Sequence, residues 1–295
     1  MQIETFYHPQ TFTVTYVVYD PTTKDAVVID PVLDYDPKAS QTNTTSARQV
    51  KDFITGRSLN LHYILETHAH ADHLSGSQYL KRELGGQVVI SENIKVVQET
   101  FKQVFNLGDG FSTDGSQFDR LVKDGESLQA GSLSVGVIAT PGHTPACVTF
   151  EIGDALFTGD ALFMPDFGTG RCDFPRGSAE DLYDSVHGKL YQKPDATRVF
   201  VGHDYQPGNR ALAYETTIGA SKRSNLQLRA DTTKEEFVKF RSARDATLAA
   251  PALLLQSVQI NIDAGRMPTP AGNEKRYINL PINLFKPTDE VGEIK

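Results

Sequence analysis

The sequence predicts an α/β (α+β) chain in which two sheets pack face to face with helices outside. Three observations lead there. Short β-branched runs alternate with helix-length runs, the second half of the chain repeats the plan of the first, and no linker rich in Pro, Gly or Ser divides the 295 residues. Sheets and amphipathic helices each have an apolar surface to bury, and layering buries both. We therefore expect one domain over 1–295, with 231–295 a largely helical C-terminal extension packed on the core.

The chain enters a first strand at once. Residues 11–19 (TFTVTYVVY) and 26–29 are β-branched and bounded by Asp-Pro turns, so both read as strands. Residues 34–45 form a polar loop, and 46–54 form a helix capped by the Thr/Ser group before it. A strand at 62–66 runs into the His-rich segment 67–73. A helix at 78–84, a strand at 87–90 and a helix at 94–105 follow. In the second half, 132–139, 148–152, 155–158 and 198–201 read as strands, and 179–190 as a helix. From about Ala211 the pattern is mostly helical, with an irregular tail after Gly265.

Composition narrows the class of protein. At 39% hydrophobic and 22% charged residues the chain is ordinary globular, not disordered or fibrous. A net charge of −8 argues against nucleic acid or an anionic membrane as partner. Two cysteines, Cys147 and Cys172, are too few for a disulfide framework and suit a reducing compartment. The first residues lack the basic and apolar regions of a signal peptide, and no apolar run approaches the roughly 18 residues of a membrane span. A soluble, cytoplasmic protein is expected. The residues leave oligomeric state open, and a homo-oligomer is compatible with them.

The chemistry is concentrated where strands end. Four short strands each run into a loop carrying His or Asp, and those loops hold most of the eight histidines. Loops at strand ends converge while the sheets hold them rigid. The first loop carries His68, His70, Asp72 and His73 as HxHxDH, with Ala69 and Ala71 as small spacers that let the backbone pass close to an ion. Residues two apart at an extended strand end point to the same side, so His68 and His70 can share a metal, and Asp72 and His73 swing to an adjacent point. Imidazole and carboxylate suit zinc, iron or manganese. Burying three imidazoles and a carboxylate without a cation would be costly. The scattered His8, His62 and His187 read instead as satisfied structural histidines.

Together TxHxHADH (67–73), TPGHT (140–144), GDA (159–161) and GHDY (202–205) resemble the metallo-β-lactamase superfamily over about the first three quarters of the chain. The resemblance implies a four-layer αββα sandwich. It also implies one metal site from His68, His70 and His143, and a second from Asp72, His73 and His203, with Asp160 bridging. Within the superfamily, GRCDFPRGS (170–178) followed by LYDSVHGKL (182–190), and HTPAC (143–147), resemble persulfide dioxygenases. Glyoxalase II would carry a bulky aromatic within HxHxDH, where this chain has Ala71, and a different Gly-Lys loop, where it has Gly170-Arg171. Cys172 stands where threonine is common, and 36–45 and 164–169 look expanded, as in a bacterial subtype. These departures surround the site entrance and bear on substrate preference.

The dioxygenase resemblance implies one iron(II) per chain, held by His68, His143 and Asp160. Such a two-histidine, one-carboxylate set leaves positions open for water, substrate and dioxygen. His70, Asp72, His73 and His203 would then orient ligands and water, a second metal on them being the rival reading. The implied reaction is oxidation of glutathione persulfide by dioxygen to sulfite and glutathione. The alternative is a binuclear zinc glutathione thioester hydrolase, and outside enzymes a persulfide-binding sensor. Glutathione brings two carboxylates, so local cations are expected around it. Arg171 matches the family arginine near the thiol end, with an equally weighted structural role as partner of Asp173. Tyr205 could donate a hydroxyl to bound substrate. Lys222 and Arg223 could meet a glycine carboxylate, although a solvated helix end explains them better. Cys147 is expected to be buried behind the His143 loop, and Cys172 to be an inert thiol nearer the entrance.

Overall fold

The computed structural model describes residues 1–284 and 288–293. Strands β1 (Gln2–His8), β2 (Thr13–Tyr19) and β3 (Asp25–Ile29) make an antiparallel meander. The next segment holds β4 (Val32–Asp36), β5 (Gln41–Asn43), α1 (Thr45–Gly56), β6 (Asn60–Leu65), β7 (Leu74–Ser75) and α2 (Ser77–Leu84). It is followed by β8 (Gln87–Ser91), α3 (Ile94–Val104) and β9 (Arg120–Val122). β6, β8 and β9 add in parallel to β3, which gives a six-stranded sheet in the order β1-β2-β3-β6-β8-β9.

The second half supplies β10 (Ser127–Ala130), β11 (Leu133–Ala139), β12 (Val148–Ile152), β13 (Ala155–Phe157), α4 (Ala179–Gly188), β14 (Arg198–Phe200) and β15 (Glu215–Thr217). These strands form a second six-stranded sheet in sequence order, antiparallel except for the β13–β14 pair. Helices α5 (Ile218–Ser224), α6 (Lys234–Asp245) and α7 (Leu254–Asn261) complete the chain before the irregular tail.

Three clusters of buried side chains separate four layers. Between the sheets, Val14, Tyr16 and Val18 of β2 meet Val135, Phe150 and Phe157 of the second sheet. Val17 and Tyr19, on the opposite face of β2, pack with α1, where Ala47, Val50 and Ile54 repeat at helical spacing. Because β2 is buried on both faces, its sequence runs apolar without alternation. The outer face of the second sheet packs on Leu182 and Val186 of α4 and Phe237 of α6. The architecture is the four-layer αββα sandwich that the sequence resemblance implied.

One end of the sandwich is laced together by backbone. Val14 N–H donates to Gly202 O at 2.9 Å, Asp204 N–H to Phe12 O at 3.0 Å and Val148 N–H to Thr67 O at 2.9 Å. Just beneath, the Tyr16 ring stands edge-on to Phe157 and Phe200, at 5.2 and 5.5 Å, and its hydroxyl donates to Val201 O at 2.6 Å. The His- and Asp-bearing loops are therefore fixed across both sheets. Among the described residues no helix is long and apolar enough to cross a membrane.

Three local expectations are corrected. The segment 34–45 is not a plain loop, since β4 and β5 pair as a hairpin with Asp34 opposite Asn43. The side chain of Thr44 does not cap α1; the Asp34 carboxylate does so from outside, accepting from Ser46 N and Ser46 Oγ at 2.9 and 2.8 Å. The short strands β7, β9, β10 and β15, of two to four residues, were too brief for periodicity to register.

Candidate metal centre

Each candidate ligand sits three to eight residues beyond the end of a strand. β6 delivers His68, His70, Asp72 and His73; β11 delivers His143; β13 delivers Asp160; and β14 delivers His203. Gly142 adopts φ +143°, and a Cβ there would come within 2.4–2.5 Å of Leu182 on α4. Only glycine lets the His143 loop lie so close to that helix.

Ligand atoms of His68, His143 and Asp160 lie within 4.8 Å of one another. Their hydrogen bonds define which ring nitrogens are free. His143 Nδ1 lies 2.6 Å from Arg171 O, and a carbonyl can only accept, so Nδ1 carries the proton and Nε2 the lone pair. Thr67 Oγ1 donates to Asp30 Oδ2 at 2.8 Å, so it must accept from His68 Nδ1 at 3.0 Å. That leaves His68 Nε2 buried without a hydrogen-bond partner, as is Asp160 Oδ1. His143 Nε2 approaches Asp160 Oδ2 to 3.5 Å without hydrogen-bonding. Burial, and then the neighbouring His70 and His143, hold His68 well below the ordinary imidazole value, so it stays neutral. Two aligned lone pairs and a carboxylate with no proton between them fit a divalent cation.

The other four polar residues also leave buried nitrogens without hydrogen-bond partners, at His70, His73 Nε2 and His203 Nδ1, but their carboxylate is already engaged. His70, Asp72 and His73 also gather within 4.8 Å, but two of them already bond each other. His73 Nδ1 donates to Asp72 Oδ2 at 3.0 Å, and Thr13 Oγ1 donates to the same oxygen at 3.2 Å. Burial works against the charge on Asp72, yet His203 and His73 outweigh it and keep the carboxyl well below its ordinary value. His203 Nε2 lies 3.4 Å from Asp160 and 3.7 Å from Asp72, between the two carboxylates. His70 Nε2 faces two buried carboxylates, Asp30 at 3.0 Å and Glu66 at 3.3 Å. Burial pushes against its protonation, but these anions prevail and raise it well above the ordinary value. His70 does stand beside His68, with ring centroids 4.1 Å apart.

Around this centre opens a cavity of about 820 Å³, walled by the β4–β5 hairpin on one side and by α6 with the following loop on the other. Tyr205 lines it, stacked on Phe167 at 4.6 Å, and its hydroxyl has no protein partner among the described residues. Desolvation, then the Asp160 and Asp72 carboxylates, raise its phenol well above the usual range, so it remains a donor. Arg171 also lines the cavity, but its fork grips Asp173 at 2.5 and 2.6 Å and its Nη1 donates to Ala249 O at 2.7 Å. The structural pairing is thus the one present.

Lys222 and Arg223 are a correction. They lie on α5 outside the cavity and face Asp195 at 2.8 and 4.0 Å, because α5 packs against the 3₁₀ turn at Leu190–Gln192, away from the site. His62 pairs with Asp25 at 2.6 Å and His187 donates to Arg229 O at 3.0 Å, both as structural groups. His8 is buried in the cavity wall, linked through Thr11 (2.7 Å) and Thr13 (2.7 Å) toward Asp72. Cys147 is buried behind the His143 loop, where desolvation pushes its thiol up to about 12. Cys172 is buried too, its thiol raised by desolvation and then by Asp245.

Three residues that support the centre were missed by sequence reasoning. Asp30 accepts from Thr67 N as well as Oγ1, both at 2.8 Å. Glu66 accepts from Ser75 Oγ and Ser77 Oγ. Asn261, at the end of α7, donates to His70 O and His73 O and accepts from Ser75 N, all at 2.8 Å. Asp30 and Glu66 end strands and could have been weighed for that reason; Asn261, some 190 residues from its partners, left no signal in the sequence.

Two sheets with helices outside and a cluster of His and Asp at one sandwich end define a metal-dependent enzyme class. The chain belongs to the metallo-beta-lactamase superfamily, whose family model matches residues 9–203. It is 45% identical to a "probable metallo-hydrolase" of Burkholderia pseudomallei, over 97% of this chain and 100% of that one. It is 46% identical to "glyoxylase B2" of Dictyostelium discoideum, over 97% and 98% of the two chains, and 35% identical to the mitochondrial persulfide dioxygenase ETHE1 of Homo sapiens, over 79% and 77%. Among solved structures, ETHE1 from Myxococcus xanthus superposes with a TM-score of 0.72 at 31% identity, covering 90% of this chain and 100% of that one.

Proposed function

We propose that the protein is an iron(II)-dependent persulfide dioxygenase acting on glutathione persulfide in the cytoplasm. The carrying observation is a two-histidine, one-carboxylate set whose donor atoms are all free. His68 Nε2 and Asp160 Oδ1 lack hydrogen-bond partners and His143 Nε2 is left with its lone pair; in the neighbouring group His73 Nε2 is also unpartnered, but His70 is held between Asp30 and Glu66 and Asp72 already accepts from His73 and Thr13. That arrangement favours one ion on His68, His143 and Asp160, with three of six positions left for other ligands. Likeness to the human and Myxococcus ETHE1 proteins supports the same reading. Two free, buried cysteines accord with a reducing compartment.

Iron(II) on this triad would bind and activate dioxygen and give sulfur a Lewis-acidic seat, while the four electrons that reduce dioxygen come from the outer sulfur. The balanced reaction takes one persulfide, one dioxygen and one water to one thiol, one sulfite and two protons. Both atoms of dioxygen go to the outer sulfur, and the S–S bond breaks as water adds its oxygen. Arg171 O holds His143 in the tautomer that presents Nε2, and Thr67 does the same for His68. Tyr205 lines the cavity with a protonated hydroxyl, available to the persulfide or to a developing sulfur oxyanion. Phe163 and Phe167 beside it limit water on that wall.

The second reading is a binuclear glutathione thioester hydrolase, favoured by the gathering of His70, Asp72 and His73 and by likeness to proteins called a metallo-hydrolase and glyoxylase B2. Oxygen uptake with glutathione persulfide, set beside hydrolysis of S-lactoylglutathione, separates the two. The dioxygenase reading expects uptake matched by sulfite, none of it under anaerobic conditions, and little thioester hydrolysis. Sulfite formation that continues without dioxygen overturns it.

A further inference from the structure

We propose that Arg244 anchors a carboxylate of the thiol carrier and so sets which persulfides this site accepts, an inference that rests on the persulfide reading above. Three cations line the cavity: Arg171, Arg241 and Arg244. Two are committed. Arg171 holds Asp173 with both arms of its fork. Arg241 is buried against Asp245 at 2.5 Å and donates to Gln227 Oε1 at 3.1 Å. Arg244 makes no ion pair or side-chain hydrogen bond among the described residues, and it is exposed where Arg241 is buried.

The spacing explains the difference. Arg241 and Arg244 are three apart on α6 and share a face, so the first faces the inner cavity wall and the second stands nearer its mouth. α6 itself is held rigidly. Thr233 and Glu236 form a reciprocal cap at its start, and Asp245 at its end accepts from Cys172 N at 2.8 Å on the loop that follows Asp160. The helix presenting Arg244 is thereby tied to the loop presenting the metal-ligand carboxylate. Beyond Arg244 the wall turns apolar at Leu248 and Leu253, which gives an uncharged stretch for the carrier's body.

An uncompensated guanidinium at the mouth of this cavity, where Asp166 is already paired with Arg210 and Asp34 with Ser46, is a selective device. The planar fork takes a carboxylate in two parallel hydrogen bonds. The substrate class is therefore a persulfide whose carrier bears a carboxylate remote from sulfur. Carriers without an anion at that end, such as cysteamine persulfide or inorganic polysulfide, lack the anchor.

The test is calorimetric binding of reduced glutathione and of its dimethyl ester to the metal-loaded protein without dioxygen, comparing wild type with Arg244→Ala and Arg244→Lys. We expect R244A to bind glutathione about tenfold or more weakly, R244K to recover part of the loss, and the ester to bind all three proteins alike. Because Arg244 is exposed and unpaired, the melting temperature should not move. Equal glutathione affinity in wild type and R244A overturns the inference, as does a wild type that binds the ester as tightly as glutathione. Binding is read without turnover, so failure of oxygen uptake would count against the dioxygenase reading and not against this anchor.

Discussion

Replacing Asn261 by alanine probes how α7 holds the centre. The amide makes three hydrogen bonds of 2.8 Å, two donated to His70 O and His73 O and one accepted from Ser75 N, and the residue is 4% exposed. Alanine would strand two carbonyls and one N–H in a buried place. Each unpaired buried group costs about 1–3 kcal/mol. Partial relaxation lowers the total, so we expect about 3–5 kcal/mol, a large share of the roughly 5–15 kcal/mol that stabilises a typical domain. The loss should show as a lower midpoint in urea at unchanged slope. Because the amide tethers His70 and His73 directly, and His68 through the same loop, purified N261A should also retain less metal. N261D adds a check on chemistry against volume, since it keeps an acceptor for Ser75 N but turns both donations into repulsions; it should be no better than alanine. A loss below about 1 kcal/mol with normal metal content would refute the clamp.

Three further outcomes follow from the geometry. Gly142→Ala places a Cβ 2.4–2.5 Å from Leu182 at φ +143°, so we expect about 1–3 kcal/mol of destabilisation by thermal melting and displaced His143, read as reduced metal content. Asp160→Asn removes the only anion of the His68–His143–Asp160 set; metal analysis should find it largely empty while circular dichroism stays native, and full metal occupancy would contradict that assignment. Cys147, pushed up to about 12 by burial, keeps its proton far above neutral pH. Alkylation followed by mass spectrometry should leave it unmodified in the native protein at neutral pH and label it fully in denaturant.

Much of this centre was legible because ligands obey a local rule. HxHxDH, TPGH, GDA and GHDY each sit just past a strand, and strands of five or more residues such as β2 and β12 announce themselves by β-branched composition. The very short β7, β9, β10 and β15 did not, because two to four residues carry no period, while β13 and β14, just as short, showed through the apolar run that precedes a Gly-Asp or Gly-His. The hairpin at 34–45 was hidden for a related reason: β5 is exposed along its length and has no apolar face to betray it. What supports the ligands was harder to see than the ligands. Asp30 and Asn261 act through partners tens or hundreds of residues away, and a carboxylate or amide in isolation looks like any turn or helix-end residue. The same blindness applies to the cations that line the cavity. Lys222 and Arg223 stood out as an adjacent basic pair, yet their helix faces Asp195, while the single Arg244 reaches the cavity.

The most direct measurement is the metal content of protein purified from iron-replete cells, taken together with the same count for His68→Ala and His73→Ala. Preferential loading of the first triad predicts close to one iron per chain in the wild type, its loss when His68 is removed, and its survival when His73 is removed. Two zinc ions per chain, falling to one in either variant, would contradict it.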